Sequence, residues 1–187
     1  NPFGHQQMQP DLSQNIRELN PLNILTNLSS CMNAFIFDNF SNGDWKDTGV
    51  VLQVKSDNDS YRAIGIRNSF GLSVDPITGN LWMTENGPDK FDEINLVTDK
   101  FNSGWAKILG PAKNKNLEKT SPYEDYNYSD PEFSWELPIG ITAIDFNTNS
   151  FQTHQNSLFV ADSNNGNIYV LKLNENRDGF DFKSEHL

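Results

Sequence analysis

YRAIGIRNSFGLSVDPITGNLWMTENGPDKFDEINLVTDKFNSGW, residues 61–105, sets short apolar runs between turn residues and closes them with polar clusters. YRAIGI (61–66), GLSV (71–74), LWMT (81–84) and EINLV (93–97) have the length and the β-branched or aromatic content of strands. Asp75-Pro76 and Gly79-Asn80 bound one connection with residues that prefer turns. Outward from this stretch, VVLQV (50–54), ITAIDF (141–146), SLFVAD (157–162) and NIYVLKL (167–173) continue the pattern. Asn165-Gly166 is the dipeptide expected to take positive φ at both positions of a tight hairpin. No amphipathic helix interrupts these runs. The best helical segment, residues 12–25, is cut short by Pro21 and its Asn neighbours.

The pattern also repeats. FGLSVDPITGNLWMTENGPDKFDEINLV and ITAIDFNTNSFQTHQNSLFVADSNNGNIYVLKL share the order strand, turn, strand, polar cluster, glycine, strand. Their equivalent residues Leu81 and Leu158 lie 77 positions apart, close to two propeller blades of about 40–45 residues. EFSWEL (132–137) is then expected to supply the blade between them. Radially repeated antiparallel blades fit this better than a sandwich. Residues 1–48, rich in Gln and Asn with only Phe35–Phe37 strand-like, read as an irregular segment, and 49–187 as blades with an exposed insertion near 110–130.

Composition narrows the function classes. With 14 Lys and Arg against 25 Asp and Glu, the 187-residue chain carries a formal charge of −11. That disfavours nucleic acid or an anionic membrane surface as partner and leaves a local cation site open. No apolar run reaches the ~18 residues of a membrane helix. The single cysteine, Cys31, has no partner for an internal disulfide and no metal-ligand spacing, so it reads as a buried thiol. The sequons at Asn27, Asn39, Asn58 and Asn127 fit an exported glycoprotein.

Two clusters carry chemistry. Asn86-Gly87-Pro88 ends the LWMT strand, where glycine admits close backbone approach and proline fixes the following carbonyls. Such carbonyls, with Asp89, Asp92 and Glu93 just beyond, are hard-cation ligands; the same residues also suit a polar hairpin loop with solvated acids. Arg67-Asn68 pairs a forked permanent donor with an amide, which suits a polyanionic or multi-carbonyl ligand and equally a surface arginine capping a turn. His5, His154 and His186 lack ligand spacing and read as surface or structural residues. Asp57-Asn58-Asp59 starts like a calcium loop, but Ala63 and Asn68 stand where its glycine and glutamate belong.

At these residues the chain resembles the glucose/sorbosone dehydrogenase family, soluble quinoproteins that include the aldose sugar dehydrogenases. IGIRNSFGLSVDPITGNLW, TENGPDKFDEINLV and FNSGW are similar to consecutive segments of that family, with coverage from about residue 48 to 173. The resemblance implies a six-bladed β-propeller of four-stranded antiparallel blades, of which about three to four are present here. It implies pyrroloquinoline quinone and Ca²⁺ as cofactors. Arg67, Asn68 and Asn86 would line the quinone, the carbonyls of Gly87 and Pro88 would bind its calcium, and Glu93 with Ser103 would serve a second, structural calcium.

It further implies hydride transfer from an aldose or polyol, a histidine base, an external electron acceptor, and an extracellular, periplasmic or cell-surface location. Three departures accompany the likeness. The base histidine belongs upstream of the part covered here, Asn164 stands where a basic residue is expected, and later cofactor-closing arginines would follow Leu187. The expectation is therefore a fragment of a longer propeller, completed by further sequence or another chain. The rival expectation is a non-catalytic calcium-containing propeller that binds a protein or glycan at the cell surface, or serves there as a structural component.

Overall fold

The computed structural model describes residues 33–37, 49–54, 60–112, 125–147, 154 and 157–182, with backbone alone for 33–37 and 54. All lie in the compact unit Met32–Leu187. The helical expectation for 12–25, Cys31, His5, His186, the Asp57–Asp59 run and the sequons at 27, 39 and 58 fall outside the described residues, as does most of 1–48.

The described strands are β1 (Asn33–Phe37), β2 (Val50–Val54), β3 (Ser60–Ile64), β4 (Gly71–Val74), β5 (Leu81–Glu85), β6 (Asp92–Val97), β7 (Phe101–Asn102), β8 (Asn127–Tyr128), β9 (Phe133–Trp135), β10 (Ile141–Phe146), β11 (Ser157–Asp162) and β12 (Ile168–Lys172). Among the described residues there is no helix, and none long and apolar enough to cross a membrane. Every quoted apolar run from 50 onward becomes a strand. The described residues form an all-β partial propeller with three sheets, in the orders β1-β2-β3-β7-β8, β4-β5-β6-β9 and β10-β11-β12. The middle sheet is the four-stranded antiparallel blade expected. The first adds β7 and β8 in parallel beyond its antiparallel β1-β2-β3.

Strand alternation explains the stacking. Successive side chains of β5 point to opposite faces, yet all five residues are buried. Leu81 and Met83 pack toward the first sheet with Val51, Ala63, Ile66 and Phe101. Trp82 packs the other way, with Ile94, against Ile141, Ile144, Phe146, Leu158 and Val160 of the third sheet. A strand covered on both faces reads as a continuous apolar run, as LWM does. The sheets also approach closely: a Cβ on Gly71 of β4 would lie 2.9 Å from Ile144 Cγ2 and 2.9 Å from Thr84 Oγ1.

Two sequence expectations are corrected. EFSWEL is not an intervening blade. Its Phe133–Trp135 is β9, paired antiparallel with β6 through Asp92↔Trp135, Glu93↔Ser134 and Ile94↔Phe133. Leu81 and Leu158 therefore sit in neighbouring sheets, and the 77-residue spacing contains one blade step plus the excursion that carries β7, β8 and β9. Nor is Asn165-Gly166 a two-residue hairpin. Only Gly166 has positive φ, at 71°, because Asp162 Oδ1 accepts the N–H groups of Asn165 (2.5 Å) and Gly166 (3.0 Å) and shapes a wider turn.

At the other end of these sheets, Asp75 closes the β4–β5 turn by accepting from Ile77 N and Thr78 Oγ1. It also takes a two-bond grip from Arg177, with Nε to Oδ2 at 2.6 Å and Nη2 to Oδ1 at 2.8 Å. Both side chains are buried. The pair joins the middle sheet to the turn that follows β12.

Candidate functional site

The strand ends β3, β5, β7 and β11 and the strand starts β6 and β10 converge on one end of the sheets. There Asn86 N donates to Asn68 O at 2.7 Å, laying the ends of β3 and β5 side by side. Arg67 backbone N donates to Glu85 Oε1 at 2.7 Å and Arg67 Nη1 to Asn86 O at 2.8 Å. The Arg67 guanidinium lies 5.5 Å from the centroid of the Trp105 ring, a cation over an aromatic face. Asn86 Nδ2 reaches across to the third sheet and donates to Ile141 O at 2.7 Å.

Below this wall, the β5–β6 register sets Glu85 opposite Glu93. Both are buried, at 5% and 7% exposure. Ser103 Oγ donates to Glu85 Oε2 at 2.5 Å. Glu93 accepts from Gly110 N at 2.8 Å and from Asn95 Nδ2 at 3.4 Å. Burial, reinforced by the Glu85 charge, pushes the Glu93 carboxyl up to about 8. Opposed carboxylates away from water repel strongly, so this pair is suited to hold a proton or a cation. No group of three or more His, Cys, Asp or Glu is assembled for a metal among the described residues. A cation here would draw on two carboxylates together with hydroxyl and carbonyl oxygens.

One cleft is lined by Arg67, Glu85, Asn86, Gly87, Phe91, Glu93, Ser103, Trp105, Ile108 and Leu109. Five of the seven residues singled out from sequence thus meet in one place. Asn68 and Pro88 adjoin the cleft in sequence without lining it, and Pro88 is exposed. Gly87 is dictated by space, since a Cβ there would lie 1.7 Å from Lys90 O and 2.5 Å from Phe91 O. Of the three acids that follow, only Asp89 is solvated, whereas Asp92 and Glu93 are buried. Glu85 and Trp105 were missed, because a glutamate closing a strand and a tryptophan after Ser-Gly each look ordinary. Counting the hairpin register back from Glu93 would have exposed Glu85.

His154, the one described histidine, lies between β10 and β11 at the opposite end, stacked edge-on at 6.4 Å from Phe159. Asn164 Nδ2 donates to Pro138 O at 3.5 Å, so the β11–β12 turn rests on the loop before β10.

The family model for glucose/sorbosone dehydrogenase matches residues 42–186. The chain belongs to the glucose/sorbosone dehydrogenase family. Within that family it is 26% identical over 113 residues to aldose sugar dehydrogenase YliI of Escherichia coli K12, covering 59% of this chain and 30% of that protein. A glucose dehydrogenase crystal structure superposes with TM-score 0.59 at 20% identity, covering 75% of this chain and 45% of that one. The PQQ-bound aldose sugar dehydrogenase of Streptomyces coelicolor superposes with TM-score 0.53 at 19% identity over 71% of this chain and 37% of that one. The chain spans about 30% of the length of the first two curated relatives it matches.

Proposed function

We propose that the chain forms one wall of a quinoprotein active site that oxidises an aldose or polyol, with pyrroloquinoline quinone and Ca²⁺ as cofactors and an external electron acceptor. The observation that carries this reading is the cleft itself. A guanidinium and an amide form its wall, and an opposed carboxylate pair its floor, in a family of sugar dehydrogenases.

The residues fit the cofactors on independent grounds. Trp105 Nε1, on a residue that lines the cleft, is buried without a hydrogen-bond partner, leaving a donor that a carbonyl or carboxylate of a ligand can satisfy. The Glu85–Glu93 pair matches a hard divalent cation that would neutralise it. Arg67, Asn68 and Asn86 would hold the quinone, Gly87 and Pro88 its calcium, and Glu93 with Ser103 a second calcium, joined by Glu85. Bound quinone and calcium supply the two-electron acceptor and its Lewis-acid activation. The protein's own part is to bind and orient: Arg67 offers charge complementarity to an anionic ligand, and the Trp105 ring lies against its guanidinium. Among the described residues no histidine lines the cleft, and a histidine of the complete protein would be the proton acceptor in this reading.

Export to the periplasm, cell surface or medium accompanies this reading, and Asn127 of one sequon is exposed on β8. The second reading, a calcium-containing propeller without turnover, rests on Asn164 standing where the family resemblance places a basic residue. Reconstitution of the complete protein with quinone and calcium, followed by dye reduction across a panel of aldoses, separates the two. Failure to bind quinone removes the enzyme reading, and binding without turnover favours the second.

A further inference from the structure

We infer that Asp92 is a positioning residue that orients the Asn86-Gly87-Pro88 turn and locks it to the loop entering the neighbouring sheet. The inference rests on the quinone and calcium reading for what the turn holds, and on geometry alone for how the turn is held. Asp92 is the first residue of β6, and its side chain is fully buried at 0% exposure. A carboxylate in such a place needs several donors. Its donors come from two loops: Gly87 N lies 3.0 Å from Oδ1, while Ile139 N and Gly140 N lie 2.8 and 2.7 Å from Oδ2.

The consequence for the turn follows from peptide planarity. The Asn86–Gly87 peptide is trans, so its C=O and N–H point in opposite directions. Arg67 Nη1 holds the C=O and Asp92 Oδ1 holds the N–H. With both ends pinned, the peptide plane that leads into the Gly87 and Pro88 carbonyls has one orientation. The second oxygen of Asp92 extends the constraint across the sheet boundary, in parallel with the Asn86 Nδ2 bond to Ile141 O. From there Gly140 O accepts from Ser163 N at 2.8 Å, linking the turn that bears Asn164. One carboxylate therefore couples the turn at the cleft to the loop that enters the third sheet.

Asp92→Asn keeps the size and turns one oxygen into an NH₂ group, which opposes an N–H donor instead of accepting from it. Calcium titration of the complete protein by calorimetry, quinone binding followed by absorbance, and amide hydrogen exchange test the assignment. Asp75→Asn serves as a comparison that weakens the fold away from the cleft. The expected result is a ~10- to 100-fold loss of calcium affinity for Asp92→Asn, the range found when groups that orient ligands are removed, with an altered quinone spectrum. Asp75→Asn lowers stability and leaves calcium affinity unchanged. In the unsubstituted protein, the Gly87, Ile139 and Gly140 amides exchange slowly and together.

Calcium affinity and quinone spectrum unchanged in Asp92→Asn would overturn the assignment, as would independent, unprotected exchange of the three amides. Should Asp92→Asn not fold, the exchange measurement on the unsubstituted protein decides alone. Should the unsubstituted protein bind neither calcium nor quinone, the cofactor reading fails, and concerted exchange of the three amides still upholds the positioning role.

Discussion

Glu85 and Glu93 oppose each other as a buried like-charge pair, and the metal-free protein bears the consequence as a pH dependence. The Glu93 carboxyl is raised from its ordinary 4.5 to about 8, so between these values the folded protein keeps a proton that the unfolded chain releases. Stability of metal-free protein therefore falls as pH rises from about 4.5 through 8 and levels off above. Denaturant midpoints across this range check it; a midpoint that climbs over the interval contradicts the raised carboxyl. Glu93→Gln removes the titrating group and flattens that profile, and if the proposed second calcium site is there it also removes that site's share of a calcium-induced rise in melting temperature. A single such site would contribute about 2.7 kcal/mol at calcium one hundredfold above its Kd. Arg67 and Gly87 could be picked out as candidates from residue type alone, and both line the cleft, whereas their neighbours Asn68 and Pro88 do not. Glu85 was not legible in this way, since its role exists only through the cross-strand register.

At the scale of elements, the strands were legible almost to the residue, because LWM, EINLV and SLFVAD combine the right length with flanking turn residues. Sheet membership was not, because a three-residue strand such as β9 acquires its identity from the edge it joins. Phe133 packs edge-on against Trp135 at 4.6 Å and meets Phe180 and Phe182, and sequence gives no distance between such partners. The inner strand β4 offers a direct check on the stacking. Gly71→Ala would push its Cβ to 2.9 Å from Ile144 Cγ2 and 3.1 Å from the Ile144 backbone N. An overpacking loss of about 1–3 kcal/mol is expected, read as a lower urea midpoint with unchanged slope. A neutral substitution would mean that β4 and β10 stand farther apart than described.

At the scale of the whole molecule, the three sheets are tied by two apolar cores and by the buried Asp75–Arg177 pair. Burial alone raises the Asp75 carboxyl, but the Arg177 guanidinium, the Ile77 N–H and the Thr78 hydroxyl outweigh it and hold the carboxyl below its ordinary value. A depressed carboxyl contributes stability that is full above the unfolded value near 3.8 and is lost as pH falls through the lower folded value. Asp75→Asn strands a buried guanidinium and is expected to cost about 3–5 kcal/mol at neutral pH, with the difference from the unsubstituted protein shrinking in acid. Parallel melting curves at pH 7 and pH 3 would show this, and an equal gap at both would contradict the ion-pair account.

The same clamp bears on how the molecule assembles in time. Its partners are 102 positions apart in the chain, so it closes only after the loop between them has collapsed and both sheets have largely formed. A contact made that late is absent from the folding transition state. Its loss should leave the refolding rate almost untouched and appear as faster unfolding. The Asp75–Arg177 pair then acts chiefly as a latch on lifetime, setting how long a folded propeller stays shut.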